Sequence, residues 1–94
     1  MPQLFELHQG QFVTYEEKVR ARCAVRRAAR LATGGARRWL VADERGLWET
    51  LAHELWESAN RNPLRVGMSD DEIEGQVSLF LAEQAVKLLN GGQA

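Results

Sequence analysis

The chain is predicted to fold as a small, mainly α domain of three helices, preceded by a short extended or β-hairpin N-terminal segment. Three observations carry this. Two S/T-x-x-E capping boxes, Thr14–Glu17 and Ser69–Glu72, each open a long run with apolar residues at helical spacing. Gly34-Gly35, Asn62-Pro63 and Asn90-Gly91 punctuate the chain where such runs would have to end. The length of 94 residues, with 45% apolar and 27% charged side chains, suits one domain spanning 1–94 and argues against wholesale disorder.

Taken in order, residues 1–13 are β-like in two short pieces around Gln9-Gly10. Phe5 and Leu7 alternate with polar neighbours as on a half-buried strand, so an arm or a hairpin is expected. In the first capping box the Thr14 hydroxyl accepts from the Glu17 amide while the Glu17 carboxylate reaches back to the Thr14 amide. The first helix then covers 15–32 and stops at Gly34-Gly35. Its acids lie in the first turn and its arginines further on, which suits the helix dipole. Residues 36–42 are ambiguous, since Trp39-Leu40-Val41 reads as a short strand or as the approach to the next helix. Asp43 is the expected N-cap of a second helix over 43–60, with Gly46 weakening its start and Asn62-Pro63 ending it. Ser69 caps a third helix over 70–89, with Asp70, Asp71 and Glu72 at the positive end of its dipole.

The faces follow from periodicity. The first helix offers small residues, Ala21, Ala24, Val25, Ala28 and Ala32, for close approach of a neighbour. The second offers Leu47, Leu51 and Leu55 beside Trp48, Ala52, Trp56 and Ala59, with Glu49, His53 and Glu57 on the opposite, solvated stripe. The third has Ile73, Val77, Phe80, Leu81 and Leu88 directed inward. It also carries a second apolar stripe, Leu79, Ala82, Val86 and Leu89, spaced i, i+3, i+7, i+10. That stripe is either covered by the N-terminal arm and Trp39 or meets a partner or a second copy of the chain.

Net charge is −1, but its signs are segregated: +5 over residues 1–41 and −6 over residues 42–94. The positive half concentrates Arg20, Arg26, Arg27, Arg30, Arg37 and Arg38 on and just after the first helix. Guanidinium groups pair with carboxylates and phosphates in bidentate fashion, so these six form the candidate partner-binding surface. The plain alternative is a solvated face neutralised by acids elsewhere in the fold. With a pI near 6.1 and no zinc-finger, RNP or KH signature, a protein partner is favoured over nucleic acid.

Catalytic constellations are not assembled. His53-Glu54-Leu55-Trp56-Glu57 resembles half of a zinc-protease motif with Glu57 where the second His belongs, and reads as an exposed i, i+4 polar pair, with loose metal binding as the alternative. Asp70, Asp71, Glu72 and Glu74 lack EF-hand spacing and read as capping acids. Cys23 has arginines beside it that favour a thiolate, but no base is placed near it. A lone cysteine fits a reducing compartment, no apolar run approaches a membrane span, and residues 1–6 lack the pattern of a secretion signal. The expectation is therefore a cytoplasmic non-enzyme without metal or cofactor. It would bind a larger protein and modulate it, as an accessory subunit or small inhibitor does. The ten Arg against two Lys point to a GC-rich bacterial or phage genome, a codon-usage inference. A nucleic-acid-binding regulator and a structural homo-oligomer are the alternatives.

Overall fold

A computed structural model describes residues 15–65 and 67–91. The expected arm or hairpin over residues 1–13, and the Thr14 half of the first capping box, lie outside the described residues. The mainly α expectation holds, but with four helices rather than three and no strand among the described residues: α1 Tyr15–Leu31, α2 Gly34–Ala42, α3 Leu47–Arg61 and α4 Asp70–Gly91. One 3-10 turn, Pro63–Arg65, follows α3.

The added helix is α2, which occupies the stretch that was ambiguous in the sequence. Gly34 does adopt the left-handed conformation expected of a helix stop, with φ 60°. It lies beyond an extended Thr33 (φ −136°, ψ 163°) and so opens a new helix instead of merely closing the old one. Trp39, Leu40 and Val41 are the last turn of that helix, not a strand. Gly35 marks where the start of α2 meets the end of α4: a Cβ there would stand 2.8 Å from Leu89 Cδ2, the tip of a flexible, half-exposed side chain.

Asp43 does its expected capping, from an unexpected distance. It terminates α2 in the left-handed region (φ 33°), its amide donating to the Trp39 carbonyl at 3.1 Å. Its carboxylate meanwhile accepts from the Trp48 amide at 2.8 Å and the Glu49 amide at 3.2 Å. One aspartate thus closes one helix and caps the next, and α3 begins at Leu47 instead of Asp43. The difference arises because Gly46 takes a positive φ of 65° and turns the chain before the helix can start. Asn62 ends α3 ahead of Pro63, its side-chain oxygen accepting from the Leu64 amide at 2.9 Å. The second capping box forms in full: the Glu72 amide donates to Ser69 Oγ at 3.1 Å and the Ser69 amide to Glu72 Oε1 at 2.8 Å.

α1 is the central element and touches α2, α3 and α4, while α4 also packs on α2 and α3. The alanine face explains this. Ala21, Ala24, Val25, Ala28 and Ala32 are all buried, as their spacing predicts, and Ala29 joins them. Among the described residues, ten of the sixteen buried apolar ones are alanine, so helix axes approach closely and few large side chains are needed to fill the space. Leu40 and Leu81, both wholly inaccessible, and Trp48 supply most of the bulk. Ser78 is also wholly buried and donates from Oγ to the Gly75 carbonyl at 2.8 Å, which satisfies its hydroxyl inside its own helix. Trp39 stands edge-on to Trp48, ring centroids 5.2 Å apart at 84°.

Candidate partner-binding surfaces

The fold separates the six arginines expected to act together: two are paired internally, three line a cleft and Arg38 stands apart. Arg20 and Arg27 face α4. Arg20 Nη2 lies 3.0 Å from Asp70 Oδ2, and its guanidinium carbon stands 5.3 Å from the centroid of a Trp56 ring. Arg27 Nη1 lies 3.5 Å from Glu74 Oε2, while Glu74 Oε1 sits 4.0 Å from Arg20. These two are neutralised within the molecule, and the acidic first turn of α4 is used in part to neutralise them.

The group of three surrounds a cleft of about 450 Å³ between α1 and α2. Arg26 and Arg30 line it from α1 and Arg37 from α2. Val25, Ala29, Leu40 and Val41 form its apolar wall, and Asp43 and Glu49 lie at its rim. Arg22 also lines it and pairs with Glu49 at 3.3 Å. Arg26, Arg30 and Arg37 have no acidic partner within 4.0 Å among the described residues, and Arg38 is exposed outside the cleft. Arg22 is not among the six arginines expected from the sequence to meet a partner. Its membership is signalled by the period Arg22, Arg26, Arg30, one turn apart on a single face.

The apolar stripe of α4 is also divided. Leu79 and Val86 are exposed at 51% and 40%, but Ala82 is buried at 6%. Leu89 is half exposed and covered on one side by the Gly35 approach. Leu79, Ala82 and Val86 join Leu31, the last residue of α1, and Ala32 after it around a shallow, almost wholly apolar depression, with Glu83 and Lys87 beside it. The inward stripe needs correction too. Ile73, Val77 and Leu81 are buried, with Ser78 and Ala85, whereas Phe80 and Leu88 are exposed at 39% and 51%. α4 is turned so that its small residues meet the alanines of α1 and α2, which carries the larger Phe80 and Leu88 outward.

The same preference rotates α3. Leu47 is exposed at 63%, Leu51, Leu55 and Trp56 are half buried, and Trp48, Ala52 and Ala59 are buried. His53, expected on the solvated stripe, is buried at 2% exposure. It lies one residue from the buried Ala52, on a helix that packs against α1. Its Nε2 stands 2.6 Å from Glu17 Oε1 of α1 and 3.7 Å from Glu57 Oε2 of its own helix. Glu17, predicted only as a capping residue, thus meets a histidine from 36 positions away. Cys23 is a half-buried free thiol. Among the described residues, no helix is long and apolar enough to cross a membrane.

No protein-family model, curated protein or solved structure matches this chain.

Proposed function

We propose that this is a non-enzymatic binding protein that docks a larger, acid-bearing protein through the arginine cleft between α1 and α2 and modulates it. The observation that carries this reading is the division of the arginines: Arg20 and Arg27 are paired internally, while Arg26, Arg30 and Arg37 converge on one cleft without an acidic partner among the described residues. Three guanidinium groups held on two helices offer fork-like donors to carboxylates of a partner, and the apolar wall of Val25, Ala29, Leu40 and Val41 offers a dry contact between them. Charge of this kind chiefly sets orientation and association rate. Affinity in this reading comes from apolar contact, for which the depression around Leu31, Leu79 and Val86 is the available surface. An accessory subunit or a small inhibitor of a bacterial complex is the concrete form we favour.

The test is capture of targets from bacterial lysate by tagged protein, with nuclease treatment and washes at low and high salt, run beside an Arg26→Glu/Arg30→Glu variant. Neither substituted side chain is buried, so the variant is expected to fold. A protein retained through nuclease and high salt by the wild type and lost by the variant supports the reading. Equal capture by both assigns these arginines to ordinary solvation. Recovery of nucleic acid alone, falling steeply and log-linearly with salt, replaces the protein partner by phosphate contacts.

A further inference from the structure

We propose that Glu17, His53 and Glu57 form a binding site for a divalent first-row transition-metal ion, with zinc the best fit. The donors come from two packed helices. His53 is 2% exposed and aims Nε2 at both carboxylates, 2.6 Å from Glu17 Oε1 and 3.7 Å from Glu57 Oε2. All three donor atoms lie within 4.8 Å of one another. Zinc bonds of about 2.0–2.1 Å in tetrahedral geometry place donors about 3.4 Å apart. The two distances from His53 straddle that value, so torsions of the glutamate side chains close the site while the helix backbones stay in place.

The surroundings favour a metal. Arg61 Nη1 lies 3.8 Å from Glu57 Oε1, the oxygen not turned toward His53, which leaves Oε2 to the histidine. A neutral imidazole and two carboxylates carry a charge of −2, which a divalent cation balances. One borderline nitrogen with two carboxylate oxygens suits zinc, cobalt or manganese better than calcium, which takes six to eight oxygen ligands. Glu17 and Glu57 are 34% and 40% exposed, so the remaining coordination positions open to water. The acids at the start of α4 differ in kind: Glu72 is held in its capping box, and Asp70 and Glu74 by arginines.

The experiment uses untagged full chain stripped with EDTA and titrated with Zn²⁺ near neutral pH. Calorimetry and thermal unfolding are read together, and Co²⁺ serves as a spectroscopic probe. The expected result is one equivalent bound in the micromolar range, with a rise in Tm of at least about 5 °C at a hundredfold excess over Kd. Glu17→Gln and Glu57→Gln each weaken binding at least tenfold, and Co²⁺ shows d–d absorption absent from the variants. His8→Ala, at the other histidine of the chain, leaves binding unchanged. The proposal is overturned if the wild type shows neither heat nor a Tm change, or if both Gln variants bind Zn²⁺ as the wild type does. It is equally overturned if His8→Ala alone abolishes binding.

Discussion

Asp43 performs two tasks whose contributions can be separated by three substitutions. Its carboxylate caps α3 by accepting from the Trp48 and Glu49 amides, and its backbone ends α2 at φ 33°. Loss of a helix cap costs about 1 kcal/mol and up to about 2. Holding a residue with a Cβ in the left-handed region costs about 1–2 kcal/mol, from which Asp and Asn are partly exempt and Gly wholly so. Asp43→Ala loses the cap and incurs the backbone strain, about 2–3 kcal/mol together. Asp43→Gly loses only the cap, about 1 kcal/mol. Asp43→Asn keeps one side-chain acceptor and tolerance of the backbone, and costs about 0.5 kcal/mol. At about 4–8 °C per kcal/mol for a domain of this size, the alanine variant melts about 8–24 °C below wild type. Urea unfolding followed by far-UV circular dichroism ranks the three if the slope with denaturant stays constant. The reasoning is refuted if Ala and Gly are equally destabilised, which removes the backbone contribution. It is also refuted if all three lie within about 0.3 kcal/mol of wild type, a result incompatible with capping of this strength.

Other expectations follow from the same packing. Gly34→Ala costs about 1 kcal/mol because φ is positive there; Gly35→Ala is neutral within about 0.5 kcal/mol, since the only crowding atom ends the half-exposed Leu89 side chain, and paired denaturant melts distinguish them. Leu81→Ala costs about 3 kcal/mol and Leu88→Ala under about 1 kcal/mol, because the first is wholly buried and the second half exposed; equal costs would restore Leu88 to the core. Glu74→Gln weakens contacts to both Arg20 and Arg27 yet costs under about 1 kcal/mol, a difference that shrinks in high salt. If copies of the chain associate through the depression around Leu79 and Val86, Val86→Asp gives a folded monomer by light scattering; an unchanged mass rules that surface out of self-association.

Much of the local structure was legible in the chain itself. Ser69 and Glu72, Asn62 before Pro63, and the alanine face of α1 each act over a few residues, so composition and spacing determine them. Even where the element was misjudged the chemistry was visible: Gly34 supplies a left-handed backbone and Asp43 a cap, both as their residue types dictate. Tertiary structure alone decided whether Gly34 closes a helix or opens one, because that depends on α2 finding Leu89 of α4. It also decided which edge of a broad apolar face turns inward. Close approach selected alanines over leucines, which sent Leu47, Phe80 and Leu88 outward and drew His53 inside. The arginines make the same point. Their positions on α1 are a matter of sequence, but Arg20 and Asp70 are 50 residues apart, and Glu17 and His53 are 36. No local periodicity reports such pairs. Which charges remain available, and which side chains converge, is determined only when the helices pack.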